Sequence, residues 1–427
     1  MEAIRPFFGL LLMLVILVAL SSNRRKIDWS MVIKGLLIQV VLAYVVLEIQ
    51  WVSNGFDWVG KRFVDLLNFS RAGSEFLFGG LVVNTDSFGY LFAFQVLPTI
   101  VFFSAITSLL FHFGILQRVV WAFAWIMRRT LKLSGAESLA AAANVFVGQT
   151  EAPLLIKPYI AKMTRSELLC LMTGGMATIA GAVLVAFIEL LGGSDPDSQA
   201  FFARHFLTAS VMSAPAAIVA SKILLPETQA QEDSAMVSVE KQSNVLEAMA
   251  QGTTDGLKMA VNVGVMLLVF TAMVALLNSI LGDGIGKWTG LNGFIASFTD
   301  GQFDSLSMES FFGIILAPFA WMMGVPWEES MVVGQLLGEK TVLNEFYAYT
   351  SMKDLMAGGH LVSERAQILS VYILCGFANF ASIGIQIGGI GVLAPGRRKD
   401  LSRLGFKALV AGTVASLFTA TLVGIIL

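Results

Sequence analysis

"ANVFVGQTEAPLLIKPYI", residues 143–160, decides how this chain is read. Apolar stretches flank it on both sides. Its centre nevertheless places Gln149, Thr150 and Glu151 in succession, with Pro153 just behind. An acid and a helix breaker within an apolar run are costly unless the chain turns back there and the polar groups face protein or a water-filled cavity.

The surroundings set the context. Hydrophobic residues make up 56% of the chain and charged residues only 14%, with a mean hydropathy of +0.75. Soluble domains carry roughly 25% charged residues, so the composition is that of an all-α polytopic membrane protein. The net charge of -2 points to no particular partner, and no basic patch with interleaved aromatics suggests nucleic acid. Cys170 and Cys375 both lie in apolar runs, which argues against a disulfide framework or a thiolate metal site. His112, His205 and His360 are far apart and form no metal-binding motif. The first apolar run is followed, not preceded, by Arg24, Arg25 and Lys26, which suits a membrane span better than a signal peptide.

A spanning helix needs about 20 mostly apolar residues. The stretches 6–22, 31–52, 90–112, 167–192, 202–224, 258–281, 366–394 and 405–427 satisfy this and give about eight spans. The amphipathic segment 56–72 reads as a helix lying at the membrane interface. With Arg24–Lys26, Arg128, Arg129, Lys132 and the basic run 397–407 in the cytoplasm, both termini fall on the outer side. The acidic turn 192–198 then lies outside and the polar run 226–247 inside.

A repeat runs through this pattern. "FAWIM" (123–127), "GAES" (135–138) and "GQTEAP" (148–153) are matched in order by "FAWMM" (319–323), "WEES" (327–330) and "LNEFYAY" (343–349). Each series leads into a Gly-rich helix with a polar centre, 174–183 and 375–384. Basic residues surround the first unit, and Glu328, Glu329 and Glu339 mark the second. The two therefore have opposite topology, the inverted-repeat arrangement of secondary transporters with the substrate near the midplane. The expected organisation is an N-terminal part, 1–89, on the scaffold side, with spans and an interfacial helix. A first repeat follows over 90–224, with a cytoplasmic re-entrant hairpin at 136–164. A cytoplasmic polar loop occupies 225–257, and a second repeat over 258–427 carries an outer re-entrant hairpin at 327–352 and the C-terminal spans.

Within the first unit the apolar arms, 137–148 and 150–163, are only about 12 and 14 residues long, which suits re-entrant segments. Thr150 and Asn344 are placed to cap the second arms, Pro153 suits a first helical turn, and Glu151 and Glu345 fall where a helix N-terminus favours a carboxylate. The plain alternatives are that the acids only cap hairpin tips and that Asn379 only bridges helices.

"GQTEAPLLIKPYI", "LNEFYAY" and "CGFANFASIGIQIGGIGVLAP" resemble the concentrative nucleoside transporter family, over nearly the whole chain. The resemblance implies a homotrimer of eight-span subunits in a bacterial inner (plasma) membrane. It implies elevator-type import of a nucleoside such as uridine or adenosine, driven by sodium, with proton coupling as the alternative. It implies that Gln149, Thr150 and Glu151 read the base and Val183 packs on it, that Glu345, Asn379 and Ser382 bind the ribose hydroxyls, and that Phe377 lies between them. Sodium would be held by Asn144 and Thr178 side chains and by the Val147 and Ile179 carbonyls. Amide, hydroxyl and carboxylate groups match the donors and acceptors of a nucleoside. No organic cofactor is expected.

A membrane-embedded enzyme would need a nucleophile with its base, a metal cluster or a phosphate-binding loop, and the sequence offers none of these. A passive channel would favour pore-lining rings over two opposed hairpins.

Overall fold

The structure, a computed structural model, describes residues 5–84, 87, 91–229 and 244–427, and every extended element among them is helical. Helix α1 spans Arg5–Ala19, α2 Trp29–Glu48 and α3 Gln50–Phe78. Then come α4 (Leu97–His112), α5 (Ile115–Leu131) and a first hairpin made of α6 (Gly135–Asn144), α7 (Ala152–Leu155) and α8 (Lys157–Ile160). Next are α9 (Arg165–Ala177), α10 (Gly181–Gly192) and α11 (Pro196–Leu224). The second half holds α12 (Val245–Asn278), α13 (Leu291–Phe298) and α14 (Met308–Met322). A second hairpin follows, formed by α15 (Trp327–Val342) and α16 (Glu345–Ala357). The chain ends with α17 (Glu364–Leu374), α18 (Phe380–Leu393) and α19 (Arg398–Ile426).

The starts of the repeated elements are written in the sequence as caps. Ser134 accepts from the Glu137 N–H at the start of the first hairpin, Thr164 and Glu167 form a reciprocal capping box on α9, and Asp195 caps α11. Asn344, Ser363 and Asn379 do the same for α16, α17 and α18. Each satisfies an N–H that the first helical turn would otherwise leave unpaired. The repeat extends past the hairpins: α11 and α19, the long helices that close the two units, are both 29 residues.

Six helical stretches among the described residues are long and apolar enough to cross a membrane. They correspond to six of the eight predicted spans. The other two differ instructively. Segment 6–22 forms only the 15-residue α1. Segment 366–394 is two helices separated at residues 375–379, and 167–192 is likewise interrupted at 178–180. Hydropathy detects the apolar content and not the backbone break. The predicted start at 258 is also corrected: Asn244 caps α12, so the helix begins at Val245 and continues through polar residues such as Gln251 and Asp255. Part of the predicted polar loop 225–257 is therefore helix, and its residues 230–243 lie outside the described ones. The amphipathic segment 56–72 lies within α3, which is 29 residues long. The hairpins run slightly differently from their predicted bounds, with the first over Gly135–Ile160 and the second extending to Ala357.

The core lies where the two repeats meet. In the stretches Arg165–Gly192 and Pro196–Leu224, 94% and 89% of the apolar window is buried, against 11% for Val245–Thr289. Helices α9, α11 and α19 pack on one another, while α4 and α12 pair beside them. The two broken helices cross at their breaks. Gly376, at φ +100, sits so close that a Cβ there would lie 2.6 Å from the Ala177 carbonyl. Only glycine meets both demands, the positive φ and the close approach.

Each hairpin is tied at its base to the helix that follows it. Lys222 reaches Glu137 at 2.6 Å, with both residues buried, and donates to Ser166 at 3.0 Å on α9. In the second unit Glu329 accepts from the Val362 and Ser363 N–H groups at 2.6 and 2.9 Å, and from the Ser363 hydroxyl, at the start of α17. The shared glutamate of "GAES" and "WEES" thus has a structural role in both copies. Arg397 donates to the Met163 carbonyl at 2.5 Å and so closes the end of the first hairpin.

Candidate functional site

The first hairpin turns at residues 145–151. Part of its backbone is satisfied by the surrounding helices. Ser210 donates to the Val145 carbonyl at 2.8 Å, and the Gly181 N–H donates to Phe146 at 3.1 Å. Glu151 folds back, and its Oε2 accepts from the Gly148 N–H at 3.3 Å. Thr150 does not cap the second arm, contrary to expectation. It is exposed, with its methyl close to Gly389, and position N-cap belongs to Glu151. The arm itself is two short helices, because Pro158 has no N–H to extend the first turn.

The second tip behaves as the sequence suggests. Asn344 accepts from the Tyr347 N–H at 2.8 Å, which leaves Glu345 in the first turn. From Glu345 a chain of buried hydrogen bonds crosses to the first hairpin. Asn379 Nδ2 donates to Glu345 Oε2 at 2.9 Å, and Asn379 Oδ1 accepts from the Ser382 N–H at 2.8 Å. Gln149 Nε2 donates to the Ser382 hydroxyl at 3.1 Å. Gln386 Nε2 then donates to Gln149 Oε1 at 3.0 Å and to the Met172 carbonyl at 2.9 Å. Two hairpin tips and both broken helices are joined by one polar network.

Gln149, Glu345, Asn379 and Ser382 are thus brought together, and Phe377 lies within the same break, buried. Val183 is buried on α10, one turn before Phe187, whose ring meets Phe346 of the second tip at 4.6 Å. Glu151 makes no hydrogen bond to the network and lines a cavity of ≈ 760 Å³, which Ala180, His112, Gln251 and Asp255 also line. That volume falls within the ~300–1,000 Å³ of small-molecule sites.

Further polar groups lie at the end of the first arm and at the break after α9. Asn144 is fully buried, and neither its Oδ1 nor its Nδ2 has a hydrogen-bond partner among the described residues. Gly174 makes room for it, since a Cβ there would lie 2.8 Å from Asn144 Nδ2. Thr178 Oγ1 donates to Gly174 at 2.8 Å and keeps lone pairs free. The buried Val147 and Ile179 carbonyls accept no hydrogen bond among the described residues. One amide oxygen, one hydroxyl and two carbonyls suit a hard monovalent cation, and an uncompensated buried amide is costly without one.

Sequence reasoning passed over Gln386, although it stands in the quoted Gly-rich motif four residues after Ser382 and so on the same helix face. It also passed over Lys340, whose buried Nζ donates to the Ile373 and Cys375 carbonyls at 2.9 and 3.1 Å and holds the end of α17 open.

Comparison with known proteins gives a consistent picture. The family descriptions "Na+ dependent nucleoside transporter C-terminus", "Na+ dependent nucleoside transporter N-terminus" and "Nucleoside recognition" match residues 205–424, 8–81 and 93–194. The chain is 39% identical to "Solute carrier family 28 member 3" of Eptatretus stoutii, covering 99% of this chain and 60% of that protein. It is 39% identical to "Sodium/nucleoside cotransporter 1" of Rattus norvegicus, covering 100% and 64%. An "Uncharacterized transporter" of Haemophilus influenzae is also 39% identical, over 100% of this chain and 98% of that one. The chain thus spans about three-fifths of the length of these two animal relatives and nearly all of the bacterial one. Among solved structures, CNTnw in an inward-facing substrate-bound state is similar with a TM-score of 0.90 at 36% identity, covering 100% of this chain and 98% of that one. An outward-facing CNTnw variant gives 0.89 at the same identity and coverage.

Proposed function

Because the chain belongs to the Na+-dependent nucleoside transporter family, we propose that it is a symporter, not an enzyme, that imports a nucleoside with sodium. The observation that carries this reading is the buried network from Glu345 through Asn379 and Ser382 to Gln149. It joins the tips of two hairpins from opposed repeats at a single compact site.

In this reading Gln149, Thr150 and Glu151 bind the base, with Val183 packing on it. Glu345, Asn379 and Ser382 bind the ribose hydroxyls, and Phe377 separates the two parts. A ribose hydroxyl donating to Glu345 would make a charge-assisted bond, and a sugar without that hydroxyl would leave the buried carboxylate with one partner fewer. Sodium takes the Asn144 and Thr178 side chains with the Val147 and Ile179 carbonyls. It orders the turn that presents Gln149 and Glu151, so cation and nucleoside bind cooperatively.

The hairpins are re-entrant, the first from the cytoplasm and the second from outside, with both termini outside a bacterial inner membrane. The cavity at Glu151 is lined by the ends of α4 and α12 that this orientation puts in the cytoplasm, and it serves as the inward exit. Transport proceeds by an elevator motion within a homotrimer, the hairpins and broken helices moving past a static part. The sequence assigned that part to 1–89. Helix α3 also packs on α4, and α4 pairs with the largely exposed α12, so we extend the static part from 1–89 to the α4–α12 pair.

Uptake of radiolabelled uridine and adenosine into proteoliposomes, with and without a sodium gradient, tests the reading. Sodium-driven accumulation of at least one is expected. Accumulation driven only by a pH gradient would overturn the choice of ion, and accumulation of neither nucleoside would overturn the substrate class.

A further inference from the structure

Glu339 lies on the first arm of the second hairpin, one turn before the tip, and is 2% exposed. Its Oε1 accepts from Gln335 Nε2 at 2.8 Å and from the Ser351 hydroxyl, on the opposite arm, at 3.2 Å. Its Oε2 is buried and has no hydrogen-bond partner among the described residues. The adjacent Lys340 does not neutralise it. That ammonium points to the other side of the helix, where the Ile373 and Cys375 carbonyls and the Ser416 hydroxyl use its three protons. The charged or titratable groups around Glu339 from the neighbouring helices are Glu309 of α14 and Tyr347 of α16, and neither supplies a cation. A buried carboxylate without a counter-charge is expensive and is resolved by binding one.

Access is provided. Gln335 also lines a cavity of ≈ 390 Å³, shared with Asn278 and Ser307 and with the titratable groups Asp304, Glu309 and His360. The same side chain therefore joins that cavity to the buried carboxylate. We propose that the second hairpin carries its own monovalent-cation site, with Glu339 as the charged ligand and Gln335 and Ser351 as neutral partners, loaded from this cavity. Sodium and a proton would satisfy the same chemistry. Either would clamp the two arms that present Asn344 and Glu345, as sodium at Asn144 would clamp the first hairpin. Each repeat would then hold one coupling cation.

This rests on the symport reading, and the experiment separates the two. Charge moved per nucleoside is measured in proteoliposomes at set membrane potentials, with sodium varied at fixed pH and pH varied at fixed sodium. The expected wild-type ratio is about two charges per nucleoside, one for each hairpin site. Glu339→Gln should reduce this to about one while nucleoside still binds in calorimetry at saturating sodium. Loss of steepness in the sodium series identifies sodium at Glu339, and loss in the pH series identifies a proton. Ser351→Ala keeps the carboxylate, so the ratio should stay and the apparent cation affinity should fall. A wild-type ratio of one, or an unchanged ratio and unchanged cation dependence in Glu339→Gln, overturns the proposal. If Glu339→Gln does not fold, an unchanged cation affinity in Ser351→Ala overturns it. Absence of any cation-driven nucleoside uptake by the wild type overturns the symport reading instead.

Discussion

Asn379 performs two tasks with one side chain, and substitutions can separate them. Its Oδ1 caps α18 through the Ser382 N–H at 2.8 Å, and its Nδ2 donates to Glu345 at 2.9 Å. Loss of an N-cap costs about 0.5–2 kcal/mol, and a hydrogen bond to a charged group contributes about 1.5–3 kcal/mol. Both residues are buried, at 3% and 4% exposure, so water does not readily replace either contact. Asn379→Ala removes both and should destabilise the protein by about 2–5 kcal/mol. Asn379→Ser keeps a capping oxygen but is too short to reach Glu345. It should melt close to the wild type yet bind nucleoside about ten- to hundred-fold more weakly, as 1.4 kcal/mol is tenfold. Asn379→Asp keeps the cap and sets a carboxylate against Glu345, so its affinity should be the poorest of the three. Thermal unfolding in detergent and calorimetric titration of nucleoside at saturating sodium read the two tasks independently. If Asn379→Ser lost as much stability as Asn379→Ala, the cap would not be what holds α18. If Asn379→Ala kept wild-type affinity, Glu345 would not depend on this residue.

Removing oxygen ligands at the first tip by Asn144→Ala with Thr178→Ala should make uptake far less dependent on sodium. Gly174→Ala, whose Cβ would crowd Asn144 Nδ2 at 2.8 Å, should do so more mildly; sodium titrations of uptake check both. Lys222→Met removes the cation facing Glu137 and should destabilise by about 3–5 kcal/mol, with partial recovery in the double variant that also carries Glu137→Gln, measured by thermal unfolding. Gly376→Ala combines a positive φ with a 2.6 Å clash; backbone strain and overpacking of about 1–3 kcal/mol each should lower both the melting temperature and transport.

Much of the architecture was legible because it is local. Asn344 announces the start of α16, the paired Phe-Ala-Trp and Glu-Ser motifs set the register of the two units, and the acids at 151 and 345 mark the tips. What was not legible depends on distant partners. The interruptions at 178–180 and 375–379 lie among Ala, Phe and Gly, which hydropathy scores as continuous span. Thr150 looked like a cap until Glu151 took the turn through Gly148. Gln386 was in plain view, but the Met172 carbonyl it needs is 214 residues away in sequence. Its role follows from the crossing of the repeats and not from its own neighbourhood. Lys340 similarly reads as an ordinary charge until α17 ends against it.

The contact between Gly376 and Ala177 has a consequence for how such a chain can diverge. Duplication ordinarily frees one copy to accumulate changes while the other keeps the original task. Here the break in one copy forms the wall of the break in the other, within a distance that admits no added methyl group. Neither copy is spare. A substitution that widens one interruption must be answered in its counterpart, so new substrate specificities at this crossing should arise through paired changes, and libraries that vary only one side should return mostly inactive transporters.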